Sequence, residues 1–185
     1  SGLNTAVVKI NGGLKSDAGA NNWINVTSNP LTVANRTVNL WVNLSFNTDN
    51  RIIVGAMNNK FYIRQRTAGG TGYDWAEDGA TRLLIPYTTA DVSNMITAVN
   101  NAGTGSFYFN GKINQTGGVG ATTIDANLMI FKAGTGVLLA GIDEIQIYNG
   151  RQLSATEVNN TYNNHVFTLG YASLDATENA SVTDT

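Results

Sequence analysis

The stretch AGIDEIQIYNGRQLSATEV, residues 140–158, contains the pattern that decides the fold. A β-strand over 142–148 with a strict period of two places the neighbours Asp143 and Glu144 on opposite faces of a sheet. Catalytic carboxylate pairs must converge on one bond, about 5–10 Å apart. The pattern therefore excludes a dyad of these two acids. It favours a structural role for Asp143. This residue is the first on the strand face that also carries Ile145 and Ile147, and a carboxylate on an apolar face needs a partner.

The second half of the same stretch predicts a short helix near 154–162. Ser154 stands three residues ahead of Glu157, which is the spacing of a capping box, where each side chain satisfies a backbone N–H group of the first turn. One or two helical turns are expected to follow, ending near Tyr162. No other segment shows a comparable helical signal.

Alternation of period two recurs along the rest of the chain and predicts an all-β protein built from short strands. In RTVNLWVNLSF, residues 36–46, Val38 and Leu40 share one face and Trp41 lies on the other. In residues 51–66, two strands with a tight turn at Asn58-Asn59 are predicted to place Tyr62, Arg64 and Arg66 outward. Further strands are predicted in TRLLIPY (81–87), NMITAVNN (94–101), SFYFNGKIN (106–114), ANLMIFKA (126–133) and HVFTLGYASL (165–174).

Composition limits the classes of partner. Eleven Lys+Arg against thirteen Asp+Glu give a net charge of −2, so no basic field favours nucleic acid. Charged residues make up 13% of the chain, against about 25% in average globular proteins. Asn, Thr, Ser and Gly cover the surface instead, as in many extracellular or virion-exposed proteins. No apolar run is long enough to insert into a membrane, and the absence of cysteine excludes disulfides and thiolate sites.

The segment GIDEIQIYNGRQLSATEV resembles the last strand and following helical turn of laminin-G-like, concanavalin-like jelly-roll modules. VNLWVNLSF (38–46) and GSFYFNGKIN (105–114) resemble an early strand and a hairpin of the same family, in the same order. The resemblance implies two stacked antiparallel sheets, one of them concave, and a structural place for Trp41. Relatives include glycan-binding modules, adhesion domains, pentraxin-like lectins and domains of virion fibres, so the resemblance implies no single activity.

The longest predicted loop, residues 67–80, supplies the candidate binding site. Sugars are held by an aromatic ring against the pyranose face with planar polar groups around it, and GYDWAED (72–78) places two aromatic residues beside an acid. The alternative is that Trp75 closes one end of the sandwich. The residues predicted to contact a glycan are Tyr62, Arg64, Arg66, Tyr73 and Trp75.

Calcium is the one candidate cofactor, because it prefers several carboxylate oxygens. Asp74, Glu77 and Asp78 cluster in the predicted loop, and Asp143 is expected near another loop. The alternative is a set of solvated acids with no ion. Catalysis is not expected, since the chain has one histidine, His165, near the start of a predicted strand, no Gly-x-Ser-x-Gly elbow and no carboxylate pair at glycosidase spacing.

The sequence predicts one domain over 1–175 and a polar tail or linker over 176–185. The function predicted is a non-catalytic recognition or adhesion module, with a glycan or a surface protein as its partner. It is expected on the outside of a cell or particle, within a larger chain or assembly. The competing hypothesis is a structural decoration or fibre domain of a virion or large surface protein, with no small ligand.

Overall fold

A computed structural model describes residues 14–15, 24–26, 31–45, 51–56, 58, 60–66, 71–78, 83–87, 92–121, 123–124, 127–130 and 139–175. The predicted tail 176–185 lies outside these residues, and the single domain over 1–175 stays a prediction. The strands are β1 Leu14–Lys15, β2 Ile24–Val26, β3 Arg36–Ser45, β4 Arg51–Ala56, β5 Phe61–Arg66, β6 Gly72–Glu77, β7 Leu83–Pro86, β8 Ser93–Asn101, β9 Thr104–Phe109, β10 Lys112–Gly118, β11 Leu128–Ile130 and β12 Leu139–Asn149. One helix, α1, spans Ala155–Asp175.

Within these residues the strands form two six-stranded sheets. Sheet A has the order β1-β12-β3-β8-β9-β10, and sheet B has the order β2-β11-β4-β5-β6-β7. Every neighbouring pair is antiparallel. The late strands β12 and β11 insert between early ones, so the chain returns across both sheets. The predicted two-sheet jelly-roll sandwich is confirmed.

The inner faces of the two sheets meet in one hydrophobic core. Val38 and Leu40 of β3 face it, as their alternation predicts, and Phe61 and Ile63 of β5 do the same while Tyr62, Arg64 and Arg66 lie half-buried on the outer face. The hairpin between β9 and β10 turns at Asn110 and Gly111, which have φ values of 50° and 78°. Two successive positive φ values are typical of a type I′ turn, which favours Asn-Gly.

The prediction of a loop over 67–80 is wrong for residues 72–77, which form strand β6. All six residues of the strand are buried. The glycines suggested a loop, but Gly72 is the first residue of the strand. The position requires glycine because a Cβ there would lie 2.1 Å from the carbonyl oxygen of Ile85. The acids suggested solvent, but each has an arginine partner: Arg64 pairs with Asp74 and Arg36 pairs with Glu77.

Two further predictions are wrong at the C-terminal side. The helix does not end near Tyr162, and residues 165–174 form part of α1 instead of a strand. The predicted capping box is present: the Ser154 N–H donates to Glu157 Oε2 at 2.8 Å, and the Glu157 N–H donates to Ser154 Oγ at 3.2 Å. Once a helix is started, each added residue gains a hydrogen bond at little cost. The helix therefore continues through residues 165–174 despite their weak alternating pattern. None of the described helices is both long and apolar enough to cross a membrane.

Candidate functional site

The outer face of sheet B carries a patch that we call the sheet B patch, made of Tyr62, Arg64, Arg66 and Asp74. Arg64 on β5 lies directly opposite Asp74 on β6. Its Nε is 2.7 Å from Asp74 Oδ1, and its Nη2 is 2.8 Å from Oδ2. Two parallel bonds of this kind fix a guanidinium in position and direction. Three of the five predicted glycan contacts, Tyr62, Arg64 and Arg66, are therefore brought together here.

Charge and aromatic surface are combined within this patch. The Arg64 guanidinium carbon lies 4.9 Å from the centre of the Tyr62 ring, within the range of a cation–π contact. Burial acts to lower the pKa of Arg64, but the hydrogen bonds and charge of Asp74 outweigh it and raise that pKa. The side chain is 17% exposed, whereas Asp74 is fully buried. Arg64 is thus a cation at the surface whose position is fixed by the buried carboxylate of Asp74.

The other two predicted contacts, Tyr73 and Trp75, do not reach this patch. They point from β6 to the opposite side of sheet B, into the core, where they are 1% and 0% exposed. Tyr73 stacks on Tyr87 with ring centroids 5.7 Å apart, and Trp75 packs against Phe107 at 5.8 Å. Their burial follows from the strand, because alternate residues face opposite sides. In the structure both rings belong to the core and not to an exposed loop.

The predicted calcium ligands lie in three separate places. Asp74 is paired with Arg64 on sheet B, Asp78 is exposed just after β6, and Asp143 lies on β12 in sheet A. Asp78 follows Asp74 by four positions along the chain, a span of about 13 Å in extended backbone. Among the described residues, no group of three His, Asp or Glu side chains could hold a metal ion. The structure does not assemble the calcium site that the sequence predicted.

Glu77, the remaining acid of β6, joins the two sheets inside the core. Its Oε2 is 2.8 Å from Nη2 of Arg36 on β3, and both side chains are 1% exposed. Asn100 of β8 also donates to Oε2. Burial raises the pKa of Glu77 above its ordinary value, although Arg36 and Asn100 act to lower it. The contacts identify this acid as a structural element.

A β-bulge in β12 overturns the expected divergence of Asp143 and Glu144. Ile142 pairs with Val42 and Ile145 pairs with Leu40, so two residues of β12 lie opposite the single residue Trp41. The extra residue returns Ile145 to the core side, as bulges do. Both acids leave the core as a result: Asp143 is 53% exposed and Glu144 is 15% exposed. The spacing of three between Ile142 and Ile145, before the spacing of two to Ile147, was the sequence signal for it.

The two acids meet His165 of α1 on the outer face of sheet A. His165 Nε2 is 3.5 Å from Asp143 Oδ2, and Nδ1 is 3.6 Å from Glu144 Oε2. The imidazole stacks on Trp41, with ring centroids 4.0 Å apart. Glu144 also accepts a hydrogen bond of 2.7 Å from Gln146 Nε2. These contacts join α1 to the outer face of sheet A.

The hydrophobic part of this contact is a second cluster, the outer cluster. Trp41 stacks on Tyr162 of α1 at 5.6 Å, which confirms its structural place. The turn residue Gly111 lets the helix approach, because a Cβ there would lie 2.9 Å from the Cβ of Tyr162. The outer cluster comprises Trp41, Met95, Val99, Tyr108, Leu153 and Val158, with Tyr148 and Tyr162 packed against it.

Comparison with known families agrees with the architecture. Residues 17–159 match the family model described as the concanavalin A-like lectin/glucanases superfamily. This range covers most of the chain and ends inside α1, before His165. No curated protein sequence matches the chain.

Solved structures of toxin binding domains share the fold. The botulinum neurotoxin serotype D ligand binding domain in complex with N-acetylneuraminic acid has a TM-score of 0.70 and 16% identity, covering 88% of this chain and 47% of that one. The botulinum neurotoxin serotype G binding domain has a TM-score of 0.65 and 17% identity, covering 86% and 46%. The chain thus spans just under half the length of these structures. At such low identity the likeness shows the fold alone.

Proposed function

Because the chain belongs to the concanavalin A-like lectin/glucanases superfamily, we propose that it is a non-catalytic carbohydrate-binding module. The contact surface is the sheet B patch. The observation that carries this proposal is the Arg64–Asp74 pair beside the Tyr62 ring, which joins a fixed polar group to an aromatic surface. Sugar sites combine these two features, because a pyranose has an apolar face and a rim of hydroxyl groups.

The patch favours an acidic sugar. Arg64 and Arg66 lie on the same face of β5, two residues apart, and the Asp74 carboxylate uses only two of the Arg64 N–H groups. The remaining N–H groups can bind a carboxylate, for which guanidinium has matching geometry. One structural neighbour is a complex with N-acetylneuraminic acid. Sialylated glycans are therefore the first class of ligand to test.

The same proposal includes a place of action outside a cell or on a particle, within a longer protein. The chain covers just under half of its toxin-domain neighbours, which are binding parts of larger proteins. The low fraction of charged residues, 13%, also supports a surface module. Non-catalytic action is supported by the contacts of the acids described above, because the pairs of Asp74, Glu77, Asp143 and Glu144 are with side chains of the protein itself.

The experiment is a glycan array followed by titration calorimetry with N-acetylneuraminic acid and sialyllactose, with lactose as the neutral comparison. Tyr62→Ala and Arg66→Ala are each expected to weaken binding about tenfold, equivalent to about 1.4 kcal/mol. Lys112→Ala is the matched control, since it removes an exposed cation from sheet A, and it should bind normally. Lack of binding to any glycan by the folded wild type would overturn the proposal and favour the structural alternative.

A further inference from the structure

An aliphatic side chain borders the sheet B patch on one side. Ile52 of β4 lies directly opposite Arg64 of β5, and directly opposite residues of an antiparallel pair share one face of the sheet. Ile52 therefore lies on the outer face beside Tyr62 and Arg64. It is the half-buried residue of β4, whereas the other five residues of that strand are buried. An apolar surface thus adjoins the cation of the patch.

A β-bulge and a glycine in β4 bring Ile52 close to Tyr62. The register against β5 shifts between Ile52 and Val54, so Ile52 and Gly55 both lie on the outer face although they are three positions apart. A Cβ at Gly55 would lie 2.9 Å from Ile52 Cγ2 and 3.1 Å from Tyr62 Cβ. The two side chains therefore border a position that has no side chain of its own. We call this surface, made of Ile52 and Tyr62 around Gly55, the Ile52 corner.

We propose that the Ile52 corner makes the sheet B patch selective for an acidic sugar that carries an acetamido group. This inference rests on the proposed function of the patch, in which Arg64 or Arg66 binds the sugar carboxylate. Neighbouring strands lie about 5 Å apart, so a ligand bound to Arg64 has Ile52 within the width of one sugar ring. N-acetylneuraminic acid, the ligand of one structural neighbour, carries a carboxylate and an acetamido group on one ring. Its acetamido methyl group can pack on Ile52 while its carboxylate binds the arginine.

The selectivity follows from the apolar character of the corner. Covering a methyl group with apolar surface strengthens binding about fourfold. A hydroxyl group in the same place loses its water and gains no partner from an aliphatic side chain. The combined preference for the acetamido group should therefore be about fourfold to tenfold. Leu84 of β7 lies opposite Asp74, two strands away from Arg64, and should not contribute to this preference.

Titration calorimetry with two lactosides tests the inference. One carries N-acetylneuraminic acid, and the other carries its analogue in which a hydroxyl group replaces the acetamido group. The wild type should bind the first about fourfold to tenfold more tightly. Ile52→Thr keeps a β-branched side chain in the strand and should reduce this preference to about twofold or less. Ile113→Thr makes the same change at a 53% exposed position of sheet A, so it should keep the full preference, as should Leu84→Thr.

Saturation-transfer NMR with the wild-type protein gives a second measurement that does not depend on the folding of any variant. With the aliphatic protons of the protein saturated, the acetamido methyl protons of bound N-acetylneuraminic acid should receive the largest signal. Equal affinities for the two sugars, a weak methyl signal, or a preference that survives Ile52→Thr or is lost in Leu84→Thr would overturn the Ile52 corner and leave sugar binding by the patch in place. Absence of binding to both sugars would overturn the proposed function and this inference with it.

Discussion

Arg36 and Glu77 form a buried ion pair that links the two sheets, with Nη2 and Oε2 2.8 Å apart and both side chains 1% exposed. Arg36 also donates to the carbonyl oxygen of Leu31 at 3.1 Å, and Asn100 donates to the carboxylate. Buried charges are tolerated when they are paired and hydrogen-bonded. The pair thus lets two charged residues lie inside the sandwich.

Arg36→Met should cost about 3–5 kcal/mol of unfolding free energy at neutral pH, because it leaves the Glu77 charge buried without its partner. The cost should shrink in acid, where the carboxyl group takes up a proton. Urea denaturation at neutral and at acidic pH measures this loss of unfolding free energy. The double variant Arg36→Met/Glu77→Leu should recover most of the loss. A double variant as unstable as the single one would contradict the role given to the uncompensated charge.

The pH dependence of stability should carry a contribution from Glu77. Its folded pKa is raised above the ordinary value of 4.5, chiefly by burial, so the folded state holds this proton more tightly than the unfolded chain does. The contribution is fully present below the unfolded pKa and is lost as the pH rises through the folded pKa. The unfolding free energy of the wild type, minus that of Glu77→Gln, should therefore fall over this window. A difference that rises with pH would contradict the sign.

Gln65→Met should stabilise the protein. Gln65 is fully buried, and neither the oxygen nor the nitrogen of its side-chain amide has a hydrogen-bond partner in the described part of the chain. An unmet buried polar group costs about 1–3 kcal/mol, which the thioether of similar length removes. Gln115→Met is the matched control and should destabilise the protein, because Gln115 Oε1 accepts a hydrogen bond from the Leu84 N–H. Thermal melts of both variants measure the two signs.

Gly72→Ala should be strongly destabilising, by about 3 kcal/mol or more. The added Cβ would lie 2.1 Å from the carbonyl oxygen of Ile85, and the φ of 157° disfavours side chains. Gly118→Ala supplies the control, because nothing lies within 4 Å of a Cβ at that position. It should leave the melting temperature nearly unchanged. Equal effects at the two sites would show that β6 and β7 do not approach each other as described.

The parts of the fold that followed from the sequence are those set by local pattern. Alternation over 36–46 and 61–66 identified the core faces of β3 and β5, and Ser154 with Glu157 identified the start of α1. These signals involve neighbours within one turn or one strand, where backbone geometry dictates which residues share a face. The family resemblance then supplied the pairing of the sheets, which local pattern does not contain.

The parts that the sequence did not reveal depend on contacts between distant residues. Strand β6 contains two acids and follows glycines. It is buried because Arg36, 41 positions from Glu77 in the chain, and Arg64, on the neighbouring strand, neutralise those acids. The bulge at Asp143 and Glu144 left a local signal in the spacing of Ile142 and Ile145, but its position is fixed by the register against β3. As a result, the candidate site was half predicted: Tyr62, Arg64 and Arg66 were placed correctly on the outer face, and Tyr73 and Trp75 were not.

The central proposal is that the sheet B patch binds a sugar, and a crystal structure of the protein soaked with sialyllactose tests it most directly. Electron density for the sugar is expected against the Tyr62 ring, with the sugar carboxylate within hydrogen-bonding distance of Arg64 or Arg66. Density on any other surface, or clear binding in solution that survives both Tyr62→Ala and Arg66→Ala, would contradict it.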